Sequence, residues 1–233
     1  MSRSDKQMAR SNSIPEAESR RAVERALAAF QAGEPVCIHD ADDREGETDL
    51  VYPAGSVTPK ALSRLRNDAG GLVCVALSNG VAASFDLPFM QDYLDHPSAE
   101  SHDLGYDDRS SFSLTVNHRD TYTGITDEDR SLTIRSLAEA AANPDGMDFP
   151  GTFRSPGHVH LLRAAPELLD QREGHTELGI RIADEAGQPP AVVVCEMLDD
   201  DNGGALSTDD ARAYAEAHDI PFVEGRALIE HLD

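Results

Sequence analysis

Two short apolar segments, residues 36–38 and 50–52, enclose a loop in which six carboxylates and one arginine fall within residues 40–49. Apolar runs of this length predict buried strands, and loops between such strands are where a fold usually displays its chemistry. Carboxylates packed this densely repel each other, so the loop is destabilising unless a cation or a substrate offsets the charge. The loop is therefore a candidate site for a divalent cation such as Mg²⁺, with a solvated acidic turn as the alternative.

The alternative must be considered because the whole chain is acidic, with 43 acidic residues against 20 basic ones and a formal charge of −23. Such an excess opposes binding to nucleic acids and to anionic membranes, because phosphate contacts need a cationic surface. It also destabilises the compact state through self-repulsion unless salt screens the charges. We therefore predict a halophilic protein from a high-salt cytoplasm. A disordered acidic protein is the competing explanation, but periodic apolar blocks making up 39% of the residues argue against it.

Three cysteines, Cys37, Cys74 and Cys195, lie far apart in apolar runs and form no CxxC pair. Neither a zinc ribbon nor a disulfide framework is indicated, and reduced thiols in a cytoplasmic protein are expected. No apolar stretch reaches the roughly 18 residues that suggest a membrane span, so a soluble protein is expected. Residues 1–13 are polar and without periodicity, which predicts a disordered tail.

Helix and strand signals alternate along residues 14–233. Helices are expected at residues 15–33, 58–70, 126–142, from about 176 onward, and 209–218. Strands are expected at residues 36–38, 50–52, 72–77, 112–116, 158–163 and 191–198. Residues 79–110 are expected to be an irregular, functional loop or lid. The pattern predicts one α+β or α/β domain, a mixed β-sheet flanked by helices.

Two histidines, His158 and His160, follow Pro156-Gly157 with i, i+2 spacing on one predicted strand. This spacing places them on the same face. They could form a metal pair. Alternatively, one reactive imidazole stands at the beginning of the strand beside a surface neighbour.

Two further motifs could act on a phosphorylated substrate. Arg172-Glu173-Gly174-His175-Thr176 precedes a predicted helix, whose free N–H groups and positive dipole end suit a phosphate monoester, with an arginine to add bidentate contacts. An ordinary helix start with a surface arginine is the alternative. Glu196 carries a carboxylate into an apolar strand, as expected of a general acid or base, or else of a salt-bridged core residue.

Taken together, these motifs resemble the 3,4-dihydroxy-2-butanone 4-phosphate synthase family of riboflavin biosynthesis, from about Ser19 to the C-terminus. The residues that carry the resemblance are Asp-Asp-Arg-Glu-Gly-Glu-Thr-Asp (42–49), Thr-Gly-Ile-Thr-Asp-Glu-Asp-Arg (123–130), Pro-Gly-His-Val (156–159), Gly-His-Thr-Glu (174–177) and Cys-Glu-Met-Leu-Asp-Asp (195–200). The first motif is similar to the archaeal version. Bacterial and plant relatives often carry a fused GTP cyclohydrolase II domain, for which this chain ends too early and lacks the zinc cysteines. We therefore expect the monofunctional archaeal-type form, from a haloarchaeal source.

The resemblance implies conversion of D-ribulose 5-phosphate to L-3,4-dihydroxy-2-butanone 4-phosphate and formate. It implies one or two Mg²⁺ or Mn²⁺ ions, held by Glu45 and His175, that stabilise enediolate and alkoxide charge. It also implies an α+β sandwich that works as a homodimer, with active sites near the subunit interface.

The resemblance assigns roles to individual residues as well. His158, Glu196 and Asp49 are expected to be catalytic. Substrate contacts are expected at Arg44, Glu45, Asp49, Arg172, Glu173, Gly174, His175, Thr176 and Glu196. Cys74 and Thr123 are expected to line the pocket, and His160 is expected to be a surface histidine without a role. A different divalent-metal-dependent phosphosugar isomerase or hydrolase is the alternative enzyme, and a non-enzymatic binding module is the alternative outside enzymes.

Overall fold

One seven-stranded mixed sheet organises the protein, whose structure is a computed structural model that describes residues 16–41, 44–99 and 109–232. The expected disordered tail at residues 1–13 lies outside the described residues. The strands are β1 (Val36–His39), β2 (Thr48–Pro53), β3 (Cys74–Leu77), β4 (Phe112–His118), β5 (Phe153–Arg163), β6 (Ala191–Glu196) and β7 (Phe222–Glu224). Their order is β4-β5-β3-β6-β2-β1-β7, with β1–β7 and β3–β5 parallel and the other pairs antiparallel.

Helices cover both faces of the sheet. The α-helices are α1 (Glu16–Gln31), α2 (Pro59–Asp68), α3 (Asn79–Ser84), α4 (Met90–Tyr93), α5 (Asp127–Ala142), α6 (Phe149–Thr152), α7 (His175–Glu185), α8 (Thr208–Ala217) and α9 (Gly225–Leu232). Short 3₁₀ turns lie at Ala54–Ser56, Pro97–Ala99, Pro144–Gly146 and Leu168–Asp170. Two helix starts confirm the sequence prediction, because the hydroxyls of Thr58 and Thr126 accept the backbone N–H groups of Ala61 and Asp129.

The sheet separates two buried cores. On one face, α2, α5 and α8 pack through side chains such as Leu62, Ile134 and Ala211. On the other face, α1, α7 and α9 pack through side chains such as Phe30 and Leu178. Burying one such large side chain contributes about 1.5–3 kcal/mol, so the two cores hold the strand ends firmly in register. The predicted single domain with a mixed sheet flanked by helices is confirmed.

Three local predictions need correction. Residues 79–99 are not irregular, because Ser78 caps α3 through the N–H of Val81 and further short helices follow. The remainder of the expected lid, residues 100–108, lies outside the described residues. The strand expected from residue 158 begins at Phe153 instead, and a large bulge separates its two halves. Strand β7 and helix α9 were not predicted, because three residues are too few for a visible alternation and α9 follows without a loop.

No helix among the described residues has both the length and the apolar character needed to cross a membrane. The registers of β1, β2 and β6 bring the chemistry-bearing residues to one edge of the sheet. Asp49 pairs with Ile38 on one side and with Glu196 on the other. The acidic loop and the start of α7 meet at this same edge.

Candidate active site

Asp40 shapes the acidic loop. Its backbone N–H donates to the carbonyl of Glu47 at 3.1 Å, and its carboxylate accepts the Glu47 N–H at 3.0 Å. The same buried carboxylate accepts the Arg44 guanidinium at 3.3 Å. Gly46, with φ of 68°, supplies the left-handed residue of the turn. The loop is thus held closed by its own residues, and Glu45, Glu47 and Asp49 follow one another at every second position.

The first residue of α7, His175, has a fixed orientation. Its Nε2 lies 3.2 Å from the carbonyl of Ile38, which can only accept, so the neutral ring carries its proton on Nε2. Its Nδ1 lies 3.8 Å from a carboxylate oxygen of Glu45 and 3.8 Å from one of Asp49. A histidine that donates one nitrogen to a backbone carbonyl and turns the other toward carboxylates has the arrangement of a metal ligand.

Charge governs the protonation of this histidine. Burial alone would lower the pKa of His175, but the negative charges of Asp49, Glu45 and Asp40 outweigh burial and raise it to about 9. The hydrogen bond from His175 lowers the pKa of Glu45, against the opposing effect of burial. A proton therefore occupies the position between these groups, where a cation would balance the same negative charge.

The predicted metal ligands Glu45 and His175 are brought together, and Asp40 joins them. One ligand atom from each of the three lies within 4.8 Å of the others. Two carboxylates and one imidazole fit a divalent ion such as Mg²⁺ or Mn²⁺, which takes hard oxygen ligands and fills its other positions with water or substrate. Sequence reasoning did not single out Asp40, because only the closed loop brings its carboxylate inward.

Two carboxyl groups beside this cluster are poised for proton transfer. Burial, together with the charges of Glu196 and Glu45, raises the pKa of Glu47 to about 7. Burial also raises the pKa of Asp49 to about 6, although the charge of His175 opposes it. Groups that titrate near neutrality suit general acid–base catalysis. Glu47 was not predicted, although its period-two spacing from Glu45 and Asp49 indicates the same face.

Arginines surround the start of α7. A methyl group on Gly174, the N-cap residue, would come within 3.0 Å of guanidinium nitrogens from both Arg172 and Arg44. The fully buried Glu177 accepts Arg172 at 2.6 Å and the N–H of Ala165 at 2.9 Å, which holds the arginine at the helix start. Helix amides and two guanidinium groups around a glycine form a site for an anion. Glu177 was missed, although it completes the Gly-His-Thr-Glu motif.

The other expected contacts at this helix start differ in exposure. Thr176 is buried in the first turn of α7, and Glu173 is exposed just before Gly174. Cys74 is buried on β3 between Val194 and His160. Burial raises the pKa of its thiol to about 12, so this cysteine remains a neutral thiol.

His158 and Glu196 lie toward the same edge of the sheet. His158 is two residues from His160, and Glu196 is two residues from Val194. His160 and Val194 both pair with Cys74 on the intervening strand β3. His158 and Glu196 thus lie on two strands separated by β3, about 10 Å apart in the sheet. Its side chain is exposed, whereas Glu196 is half-buried. Thr123 is exposed on the loop before α5, where its hydroxyl donates to Asp129.

His160 is not the surface residue that was expected. It is half-buried, burial lowers its pKa, and its ring meets Phe112 edge-on with centroids 6.0 Å apart. Its Nδ1 is buried and makes no hydrogen bond with the described residues. Among the described residues, the group of three or more potential ligands with metal-binding geometry is the one around His175, and neither His158 nor His160 belongs to it.

The fold and the site together define a class of protein, a mixed sheet flanked by helices with a two-part site at one end of the sheet. In this class, a carboxylate–histidine cluster able to hold a divalent cation lies beside an arginine-lined helix start suited to an anion. The family model described as 3,4-dihydroxy-2-butanone 4-phosphate synthase matches residues 24–231. The protein is 49% identical over 220 residues to the synthase of Archaeoglobus fulgidus, across 89% of this chain and 92% of that relative.

Solved structures agree with the sequence relatives. The synthase of Candida albicans superposes with a TM-score of 0.75 at 34% identity, over 91% of this chain and 97% of that chain. A synthase in complex with two magnesium ions superposes with a TM-score of 0.77 at 30% identity, over 90% and 95% of the two chains. The chain belongs to the 3,4-dihydroxy-2-butanone 4-phosphate synthase family.

Proposed function

We propose that this protein converts D-ribulose 5-phosphate into L-3,4-dihydroxy-2-butanone 4-phosphate and formate, a reaction of riboflavin biosynthesis. The observation that carries the proposal is the position of the Glu45–His175 couple directly beside the arginine-lined start of α7. A pentulose monophosphate needs both features, because its reacting hydroxyl and carbonyl groups lie a few bonds from its phosphate.

A divalent cation, Mg²⁺ or Mn²⁺ in one or two copies, would be held by Glu45 and His175 with help from Asp40. Such an ion supplies charge stabilisation for the enediolate and alkoxide that form on neighbouring sugar oxygens. The magnesium-bound relative supports Mg²⁺. The contact between His175 and Ile38 supports the same assignment, because it uses Nε2 and leaves Nδ1 as the nitrogen that would bind the cation.

Proton transfer would fall to carboxylates and to one imidazole. Asp49, which is buried between Ile38 and Glu196, would take a proton from a sugar hydroxyl. The charge of Glu196 helps to raise the pKa of Glu47, so the two carboxyl groups act on each other, and a proton would pass between them as successive intermediates gain and lose charge. His158 serves as the acid or base on the other side of the substrate.

Substrate binding would depend on the helix start. Arg172 and Arg44 approach Gly174, the N-cap residue of α7, which has no side chain to accept the first-turn amides. The phosphate would bind between them, with the hydroxyl of Thr176 as a further donor. Glu173 would contact the substrate from the exposed side, and Cys74 and Thr123 would border the pocket.

The protein would act as a homodimer in the cytoplasm. Seven large apolar side chains among the described residues are exposed, including Leu72 with 53% and Phe112 with 39% of their surface accessible. Exposed apolar side chains in this number support a protein interface. The three cysteines are free and buried, which is consistent with a reducing compartment.

Product analysis tests the proposal. Protein supplied with ribulose 5-phosphate and Mg²⁺ should release one equivalent of formate for each sugar consumed, and EDTA should stop the release. The Glu139→Gln variant, altered on the exposed face of α5, serves as a matched control that keeps full activity. Inorganic phosphate or a rearranged pentose in place of formate would identify a phosphosugar hydrolase or isomerase and would overturn the proposal.

A further inference from the structure

His158 protrudes from an irregular part of the sheet. Val116 and Asn117 are consecutive on β4, yet they pair with Val159 and Arg154 on β5, so residues 155–158 bulge out between those partners. A bulge leaves backbone groups without ladder partners and redirects the side chains it carries. The exposed His158 therefore needs other contacts to hold a defined position.

The Asn117 side chain supplies these contacts. Its Oδ1 accepts the backbone N–H of His158 at 2.8 Å, and its Nδ2 lies 3.1 Å from the Nδ1 of the same residue. The amide of Asn117 thus contacts both the backbone and the ring of His158. Asn117 is itself buried, so its amide is surrounded by protein rather than by water.

The chemistry of these two contacts determines the orientation of the amide. A backbone N–H can only donate, so the oxygen of Asn117 must face it, and the nitrogen must then face the imidazole. An amide NH₂ group only donates, so the Nδ1 of His158 must accept. The neutral ring consequently carries its proton on Nε2, the nitrogen farther from the strand.

A second layer holds the amide in place. Gly124, with φ of 88°, packs so closely on Asn117 that a side chain there would collide with the amide group. The carboxylate of Asp129 accepts the N–H groups of Gly124 at 2.8 Å and of Thr123 at 3.2 Å, which fixes the loop. The hydroxyl of Thr126, which caps α5, accepts the N–H of Asp129 at 3.1 Å. The motif at residues 123–130 thus connects to His158 through Asn117.

We propose that Asn117 is a positioning residue that fixes His158 as the Nε2–H tautomer, with Gly124 and Asp129 holding the amide in that orientation. The inference rests on the proposed function only for the role of His158 in proton transfer. A histidine fixed in this tautomer presents a proton donor, not an acceptor, at Nε2. Gly124 and Asp129 then contribute to catalysis by fixing which nitrogen of His158 carries the proton, rather than through contact with the substrate.

The Asn117→Asp variant tests this inference with almost no change of shape. A carboxylate can still accept the His158 N–H, but it can only accept at the ring, so Nδ1 must become the donor. We expect ¹⁵N spectra of histidine-labelled protein to show an unprotonated Nδ1 at His158 in the wild type and a protonated one in the variant. His158→Gln identifies the signal among those of the nine histidines.

Kinetics distinguish positioning from a purely structural role. Asn117→Asp should lower kcat by about 10²-fold, the scale of one misdirected general acid or base, with KM for ribulose 5-phosphate changed less than about twofold. Asn67→Asp makes the same chemical change on the exposed face of α2 and should leave kcat, KM and the His158 signal unchanged.

Each outcome bears on one claim. A wild-type His158 with its proton on Nδ1 would overturn the inference without any variant. A tautomer that switches while kcat stays unchanged would overturn the positioning role. A wild type that shows the expected tautomer but releases no formate would instead contradict the proposed function and leave the geometric assignment of the ring intact.

Discussion

The two ends of the candidate active site are built differently. At the Glu45–His175 end, the groups are mostly buried and bound by ion pairs, a closed loop and the carbonyl of Ile38. At the His158 end, the imidazole is exposed, and one asparagine amide holds it. The first end is constrained by charge balance and the second by hydrogen-bond direction.

This difference determines how each end should respond to change. Buried carboxylates that crowd one histidine store unfavourable charge, so protons and cations should alter the first end strongly. The exposed ring on the bulge is held by the neutral amide of Asn117, so its response should depend on geometry. Variants at the Glu45–His175 end should therefore mainly change binding and stability, and variants at the His158 end should mainly change turnover.

The largest expected effect is at Glu196, which lies between the two ends. Glu196→Gln keeps the shape but removes the carboxylate whose charge helps to raise the pKa of Glu47. We expect kcat to fall by about 10³-fold or more, with substrate affinity within a few-fold of wild type. Rapid-quench assays of formate and calorimetry of substrate binding measure the two quantities. An unchanged kcat would remove Glu196 from proton transfer.

A smaller effect is expected at Arg172, which belongs to the buried end. Arg172→Lys keeps the charge but loses the planar fork that Glu177 holds beside Gly174. We expect KM for ribulose 5-phosphate to rise about 10- to 100-fold while kcat changes little. Arg135→Lys, on the exposed face of α5, is the control. A loss of about 10- to 100-fold in kcat with no change in KM would place Arg172 at the reacting centre instead of at the phosphate.

Salt should stabilise the protein through its surface rather than through either end of the site. The formal charge of −23 predicts that the free energy of unfolding rises between low and molar KCl, where the Debye length falls to about 3 Å. Denaturant titrations of wild type and Glu47→Gln should show the same increment. A free energy of unfolding that does not change with KCl in the wild type would contradict the halophilic prediction. If the salt-dependent increase were lost in Glu47→Gln, the stabilisation by salt would originate in the site rather than on the surface.

The last prediction concerns the pH dependence of stability in the metal-free protein. Asp49, Glu47 and His175 have pKa values raised to about 6, 7 and 9 from ordinary values of 3.8, 4.5 and 6.5. The folded state therefore binds more protons than the unfolded state across this range, so each group stabilises the fold at low pH and loses that contribution as pH rises through its folded pKa.

Thermal melts in EDTA check this linkage. Tm should fall as pH rises from about 4 to 9, and Glu47→Gln should flatten the part of the slope between about 4.5 and 7. Mg²⁺ with ribulose 5-phosphate should flatten the part near pH 9, because a cation would replace the proton on His175. A Tm that rises with pH across the whole range would contradict the assigned shifts.

The sequence predicted elements and candidate metal ligands that depend on local pattern or on a motif. Caps at Thr58 and Thr126 follow from residue type alone, and Glu45 and His175 follow from motifs that resemble one family. Pairing over long distances was harder to predict. Strand β7 forms only because β1 lies beside it, and the bulge in β5 depends on the close approach of Gly157 to β4.

The missed site residues share one cause. Asp40, Glu47 and Glu177 are acidic residues in an acidic chain, so residue type could not distinguish them from surface carboxylates. Asp40 and Glu177 gain their roles from burial against partners that the fold supplies, namely the N–H of Glu47 and the guanidinium of Arg172. The sequence pattern locates the acidic region, and tertiary packing determines which of its carboxylates are buried in the candidate site.

The most direct test of the account measures substrate binding with and without a cation at the Glu45–His175 couple. Calorimetry of the Glu196→Gln protein, which should bind without turnover, should show affinity for ribulose 5-phosphate at least about tenfold higher with Mg²⁺ than with EDTA. Adding Glu45→Gln should abolish that difference. Equal affinity with and without Mg²⁺, or a Mg²⁺ effect that survives Glu45→Gln, would contradict the account.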